Sequence, residues 1–222
     1  MQYPKLPEFY SVDDQYLIGS DLLVKPVTSP GAIKSMIHFP SSESWYDVDT
    51  MKRVKSATTQ SVAVDSDIDK IPVYQRGGSI IPRKLRLRRS SHLMSIDPYT
   101  LFVALGDDLK ANGQLYIDDE TTFDNEKRQA FGIASFQSSW FDNIAIQNSV
   151  YIGNSNMINH TAMRGKIVER IVVVGVPTAP REIRSKYDNS PLEFQYDVSS
   201  NIIVIRKPGL SALEDFSLYL IQ

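Results

Sequence analysis

Short apolar or alternating runs follow one another along the whole chain, with Gly, Pro, Asn or Asp clusters between them. That punctuation is the strongest constraint on the fold. An amphipathic helix needs a 3.6-residue apolar period sustained over about 11–18 residues, and no stretch here keeps one. A half-buried strand needs only a handful of alternating residues between turn signals. Strands are expected at residues 16–17, 21–27, 33–38, 44–47, 61–64, 73–75, 79–81, 84–88, 99–105, 113–117, 132–136, 145–151, 166–174, 192–196, 202–206 and 216–221. The Tyr, Phe, Val and Ile content fits half-buried strands. The fold class expected is all-β, as two consecutive antiparallel β-sandwich domains.

Three segments are expected. Residues 1–15 form an irregular lead-in, because Pro4 and Pro7 discourage a regular helix. Residues 16–95 form a first sandwich and residues 96–222 a second. The seam is expected where the polar Ser90-Ser91-His92 stretch gives way to Ile96-Asp97-Pro98. A late hairpin is also expected: 192–196 alternates, 197–201 supplies turn residues, 202–206 returns, and Pro208-Gly209 ends the strand.

Composition removes several function classes. The chain has 24 Lys and Arg against 26 Asp and Glu, net charge −2, so no overall field draws it to nucleic acid or to a membrane surface. Without cysteine it has neither a disulfide framework nor a thiolate metal site. No apolar run approaches the ~18–20 residues of a membrane span. The first residues show no basic stretch followed by an apolar core, so the sequence as written is expected in the cytosol.

Four clusters merit a chemical reading. Gln75-Arg76-Gly77-Gly78-Ser79 sits between two apolar runs and reads as a hairpin turn. A phosphate loop would need a longer glycine loop, a lysine and a following helix. Residues 83–89 carry five basic side chains, but Leu85 and Leu87 alternate with Lys84, Arg86 and Arg88. That is the period of a strand whose leucines pack while its charges are solvated. Asp118-Asp119-Glu120 with Asp124 is the densest acidic group. Its spacing misses the EF-hand pattern, neighbouring carboxylates on a strand point to opposite faces, and a turn that bonds local amides is the expectation. Trp45, Tyr46 and Trp140 are candidate sugar-stacking rings, against the commoner role of aromatics in a core. His38, His92 and His160 lack metal-ligand spacing. No catalytic, cofactor-binding or metal-binding residue is assigned. Asn159-His160-Thr161 is an acceptor triplet for N-glycosylation at Asn159.

Four motifs in one order resemble family 31 of the glycoside hydrolases. Residues 13–27 are similar to the segment that lies just beyond that family's catalytic barrel, and Trp45-Tyr46-Asp47 resembles an element of the next sandwich. Residues 71–82, with Arg76, Gly77 and Gly78, resemble a strand-turn-strand element of the same region. Residues 113–124, with Asp118 and Asp119, resemble a strand and turn of the distal sandwich, although Glu120 stands where many members have glycine. The resemblance covers essentially the whole chain. It implies the proximal and distal C-terminal sandwiches of a retaining α-glucosidase, without the barrel that carries its two carboxylates. Residues 83–91 and 97–105 look most like the branch that trims glucose from N-linked glycans in the endoplasmic reticulum. The resemblance therefore implies an inactive scaffold whose partners are the missing barrel and a regulatory β subunit, and which meets glycan only through the parent enzyme. A free-standing carbohydrate-binding or protein-interaction sandwich is the other reading.

Overall fold

The computed structural model describes residues 3–40, 43–55, 60–154 and 166–222. The chain forms two compact units, Met1–Ser79 with Gly106–Asp108, and Ile80–Leu105 with Leu109–Gln222. The seam expected at 90–97 lies inside the second of these, because the strand beginning at Ser79 already belongs to the larger sheet.

The first unit contains β1 (Tyr16–Ile18), β2 (Leu22–Val24), β3 (Lys34–Phe39), β4 (Ser44–Asp47), β5 (Arg53–Lys55), β6 (Gln60–Asp65) and β7 (Val73–Arg76). Five of them form an antiparallel sheet in the order β1-β2-β7-β4-β5, while β3 and β6 pair separately. The alternation of β3 explains the layering. Ser35, Ile37 and Phe39 turn inward, and Ile37 and Phe39 meet Leu23, Trp45 and Tyr74 from the larger sheet. Phe39 lies edge-on to Tyr74 with ring centroids 4.9 Å apart. The lead-in carries one short 3₁₀ turn, Pro7–Phe9. It is fastened by Gln15, whose side-chain amide exchanges two 2.9 Å hydrogen bonds with the backbone of His38, mimicking a ladder pair.

The second unit contains β8 (Ser79–Arg83), β9 (Tyr99–Ala104), β10 (Lys110–Ile117), β11 (Gly132–Ser139), β12 (Ile144–Ile152), β13 (Ile167–Val174), β14 (Glu182–Ser185), β15 (Pro191–Leu192), β16 (Phe194–Asp197), β17 (Ile202–Ser211) and β18 (Phe216–Ile221). They form one sheet, ordered β15-β14-β18-β12-β11-β10-β8-β9-β13-β17-β16. Its two edge strands, β15 and β16, are separated in sequence by Glu193 alone, so the sheet has to roll back on itself. The inward faces then pack as a sandwich around Leu101, Val103, Phe136, Ile146, Ile171 and Ile203. Every residue of β9 is buried, and its pairing with β13 is parallel amid antiparallel ladders. A strand covered on both faces reads as a continuous apolar run rather than an alternating one. Gly113 on β10 lies against β8 so closely that a Cβ there would stand 2.0 Å from the carbonyl oxygen of Ile80.

The late hairpin forms, with Phe194 opposite Ile205 and Asp197 opposite Ile202. Pro208-Gly209 does not end β17. The strand passes through a bulge at that point, where Lys207 and Gly209 take positive φ, and continues to Ser211.

Candidate functional site

In the first unit, the Arg76-Gly77-Gly78 turn is tied down by its polar groups. Arg76 donates its amide to the Asp21 carbonyl at 2.8 Å and pairs its guanidinium with Glu43. Glu43 also accepts the Tyr3 hydroxyl at 2.8 Å, and burial together with that carboxylate raises the Tyr3 phenol above its ordinary range. The Gly77 amide donates to the Ser44 carbonyl at 2.7 Å, and Ser79 Oγ donates to the Arg76 carbonyl at 2.6 Å. Gly78, at φ 89°, occupies a conformation that side chains rarely take. The Arg76 and Gly77 amides, which an anion cradle would need, are therefore spent on the fold. The expected hairpin is corrected too: β7 belongs to the five-stranded sheet and β8 to the eleven-stranded one, so the turn passes the chain between sheets.

Trp45 and Tyr46 of β4 are buried, and Asp47 Oδ1 accepts the amides of Asp49 and Thr50 at 3.0 and 2.6 Å. Trp45 borders a cavity of about 220 Å³ in the first unit, lined mainly by apolar and aromatic residues, with Phe9 and Val12 of the lead-in facing Leu17 and Leu23 of the strands. Trp140, in the second unit, is buried as well. None of the three rings nominated for sugar stacking presents a face to solvent.

In the second unit, the acidic turn is folded around its own carboxylates. Asp118 Oδ1 accepts the Glu120 amide at 2.8 Å, and Asp119 accepts the amides of Thr121 and Thr122 and the Thr122 hydroxyl. The Thr122 hydrogen bonds hold the Asp119 carboxyl down to about 2. Glu120 adopts φ 61° where many members of the resembled family have glycine, a strain on the order of 1 kcal/mol. Its carboxylate accepts from Lys166 Nζ at 3.0 Å and Lys84 Nζ at 3.2 Å. Burial alone would raise the Glu120 carboxyl, yet the two lysines outweigh it and the net shift is downward. The Lys166 side chain is only 2 % exposed and also donates to the Ser95 carbonyl. Sequence reading missed this cluster because its members are 36 and 46 residues apart and no local pattern links them.

The basic run departs most from expectation. Residues 84–88 join no ladder. Their charged side chains make the contacts: Arg88 grips Asp97 through two nitrogens, and Arg86 reaches Glu169 at 2.9 Å. The Asp97 carboxylate is 1 % exposed, and its hydrogen bonds from Arg88 hold it below its ordinary value against the opposing effect of burial. Leu87 is fully exposed and Leu85 half so. The face expected to pack is solvated, and the face expected in solvent is paired. Among the described residues, no three His, Cys, Asp or Glu side chains converge as metal donors. Asn159 lies outside the described residues.

Residues 1–81 match the model of the glycosyl hydrolase family 31 C-terminal domain. The chain is 39 % identical over 97 % of its length to neutral alpha-glucosidase AB of Dictyostelium discoideum, spanning 22 % of that protein. To the Homo sapiens protein of the same name it is 35 % identical over 99 % of its length, spanning 23 % of that relative. Among solved structures, the glucosidase II alpha subunit bound to alpha3-Glc2 superposes with a TM-score of 0.82 at 33 % identity, over 94 % of this chain and 24 % of that one. A complex of the glucosidase II catalytic subunit with the binding domain of its regulatory subunit gives a TM-score of 0.81 at 32 % identity, over 94 % of this chain and 23 % of that one. The chain thus spans less than a quarter of the length of either of these curated relatives.

Proposed function

Since this chain carries the C-terminal region of a family 31 glycoside hydrolase and belongs to that family, we propose that it serves a glucosidase II-type α-glucosidase as a β-structured scaffold and hydrolyses nothing alone. The observation that carries this reading is the likeness to such enzymes along 97 % of the chain, beside the much greater length of the relatives. The reaction proposed for the parent is retaining hydrolysis of α-1,3-linked glucose from N-glycans in the endoplasmic reticulum lumen. Such chemistry uses two carboxylates flanking the scissile bond, at the C-terminal face of a (β/α)₈ barrel. Asp118 and Asp119 do not substitute for them, because their oxygens are held by the amides of their own turn.

The proposed partners are the parent's barrel and its regulatory β subunit. Exposed Tyr16, Ile18, Ile33 and Ile71 in the first unit, and Leu85, Leu87, Leu93 and Ile96 in the second, are the apolar surface such partners would cover. Asn159 is proposed as a glycan acceptor in the parent's compartment. A glycosidase digest that leaves the mass of lumen-expressed protein unchanged removes that assignment.

The decisive assay incubates the purified chain with nigerose and with an aryl α-glucoside. No glucose release is expected. Turnover that persists in a doubly purified sample, and disappears with Asp119→Asn, overturns the scaffold reading.

A further inference from the structure

The outer face of β10, β11 and β12 differs from the rest of the surface. Their registers set three residues abreast in three successive rows: Asn112, Gln137 and Gln147; Gln114, Ser135 and Ser149; Tyr116, Ile133 and Tyr151. All nine are exposed or partly exposed, and none carries a charge, although 23 % of the chain is Asp, Glu, Lys or Arg. Strand spacing and rise make this a patch of roughly 10 Å by 14 Å.

One end of the patch is an aromatic band. Phe131 stacks on Tyr116 with centroids 5.5 Å apart and planes 24° apart, and leans on Tyr151 at 6.1 Å. Asn125 Nδ2 donates to the Tyr116 hydroxyl at 3.0 Å. That bond occupies an acceptor site on the oxygen and leaves the phenolic proton to donate outward. Beside β12, a groove of about 370 Å³ takes in Gln147 and Ser149 and is bordered by Lys186, Tyr187, Asp215 and Ser217. Asn148, 4 % exposed, lies on its wall with a side-chain oxygen that has no hydrogen-bond partner.

Flat rings beside amides and hydroxyls, in three rows that carry no fixed charge, match a neutral pyranoside. Its C–H face sits on aromatic carbon while its hydroxyls exchange hydrogen bonds with Asn, Gln, Ser and Tyr. A nucleic acid or an acidic peptide would call for several cations; the nine residues of the patch supply none, and the groove adds one, Lys186, together with the carboxylate of Asp215. We propose that the outer face of β10–β12 is a carbohydrate-binding surface for a neutral hexopyranosyl oligosaccharide, stacked on Tyr116 and Tyr151 and hydrogen-bonded by Gln114, Gln137 and Ser149. The site rests on the chemistry of this face and stands or falls apart from the family role.

Saturation-transfer difference NMR on the full 222-residue chain tests it, since only the sugar is observed and little protein is needed. Maltotriose and an α-linked mannotriose are titrated separately, which distinguishes a glucan from a mannose-rich glycan. Selective irradiation of aromatic protons is expected to saturate ring C–H protons of at least one sugar, with millimolar or tighter affinity. Tyr116→Ala with Tyr151→Ala, at unchanged melting temperature, weakens binding roughly tenfold or more. Tyr116→Phe, which keeps the ring and loses the hydroxyl, has a smaller effect, and Tyr10→Ala in the first unit has none. No saturation with either sugar overturns the proposal, as does equal saturation in the double alanine variant.

Discussion

Strand β3 and residues 84–88 are both short alternating segments, and they solve the same problem in opposite ways. In β3 the apolar residues Ile37 and Phe39 are inside, and β6 answers the backbone along the whole strand. In 84–88 the apolar residues are outside, no ladder forms, and ion pairs from Lys84, Arg86 and Arg88 hold the segment down. Period-two alternation specifies which side chains share a face. It leaves open which of the two faces is buried, and the available partners decide that. For β3 the partner is an aromatic cluster. For 84–88 it is a line of carboxylates contributed by Asp97, Glu120 and Glu169.

The largest effect should come from β3. Phe39 is fully buried between Trp45 and Tyr74, and truncating a buried Phe costs about 3–5 kcal/mol. Phe39→Ala should therefore lower the chemical-denaturation midpoint of the first unit strongly. If the change is below about 1 kcal/mol, hydrophobic packing does not govern that unit and the contrast with 84–88 collapses.

A smaller and more local effect is expected at Asp97. Asp97→Asn keeps the shape and removes the charge that Arg88 grips and Arg86 approaches. Residues 84–88 should then leave the surface often enough for trypsin to cut after Arg86 or Arg88 several-fold faster, while β3 stays protected. Acid should act in the same direction. The folded Asp97 carboxyl lies below its ordinary 3.8, so the unfolded chain takes up the proton more readily. Its contribution is fully present above 3.8 and is lost as pH falls through the folded value. Asp119 and Asp197, each held near 2 by hydroxyls and amides of their own turns, act likewise. The melting temperature should fall as pH drops from 3.8 toward about 2, and less steeply in Asp97→Asn. A parallel fall in both proteins would mean that Asp97 is not part of the acid response.

Much of the fold was legible because its signals are local. The turn residues at 197–201 closed the expected hairpin, and the lack of a long helical period agrees with a structure whose one α-helix among the described residues is Asp124–Arg128. The illegible parts depend on distance or on context. Gly77-Gly78 is a turn in either reading, and its sequence does not say that the next strand joins another sheet. Pro208-Gly209 reads as a stop, yet β13 supplies a partner on both sides of the bulge. Trp45 and Trp140 are as suited to a core as to a sugar, and the structure buries both. The uncharged outer rows of β10–β12 were present in the sequence as alternating Asn, Gln, Ser and Tyr. They become a patch only when the register aligns three separate strands.

The smallest effect on stability, and the sharpest test of the contrast, belongs to Leu87. A leucine fully exposed on a segment held from its opposite face contributes almost nothing to the fold, and surface substitutions of that kind stay within about 0.5 kcal/mol. Leu87→Ser should leave the melting temperature unchanged. Its consequence should appear in solution behaviour, because Leu85 and Leu87 stand exposed together on one short run. The unaltered chain is expected to self-associate as concentration rises, and Leu85→Ser with Leu87→Ser to shift light scattering toward the monomer. A monodisperse monomer before substitution would show that these leucines need no cover. A loss of stability on substitution would show that they pack after all, as they would in a strand like β3.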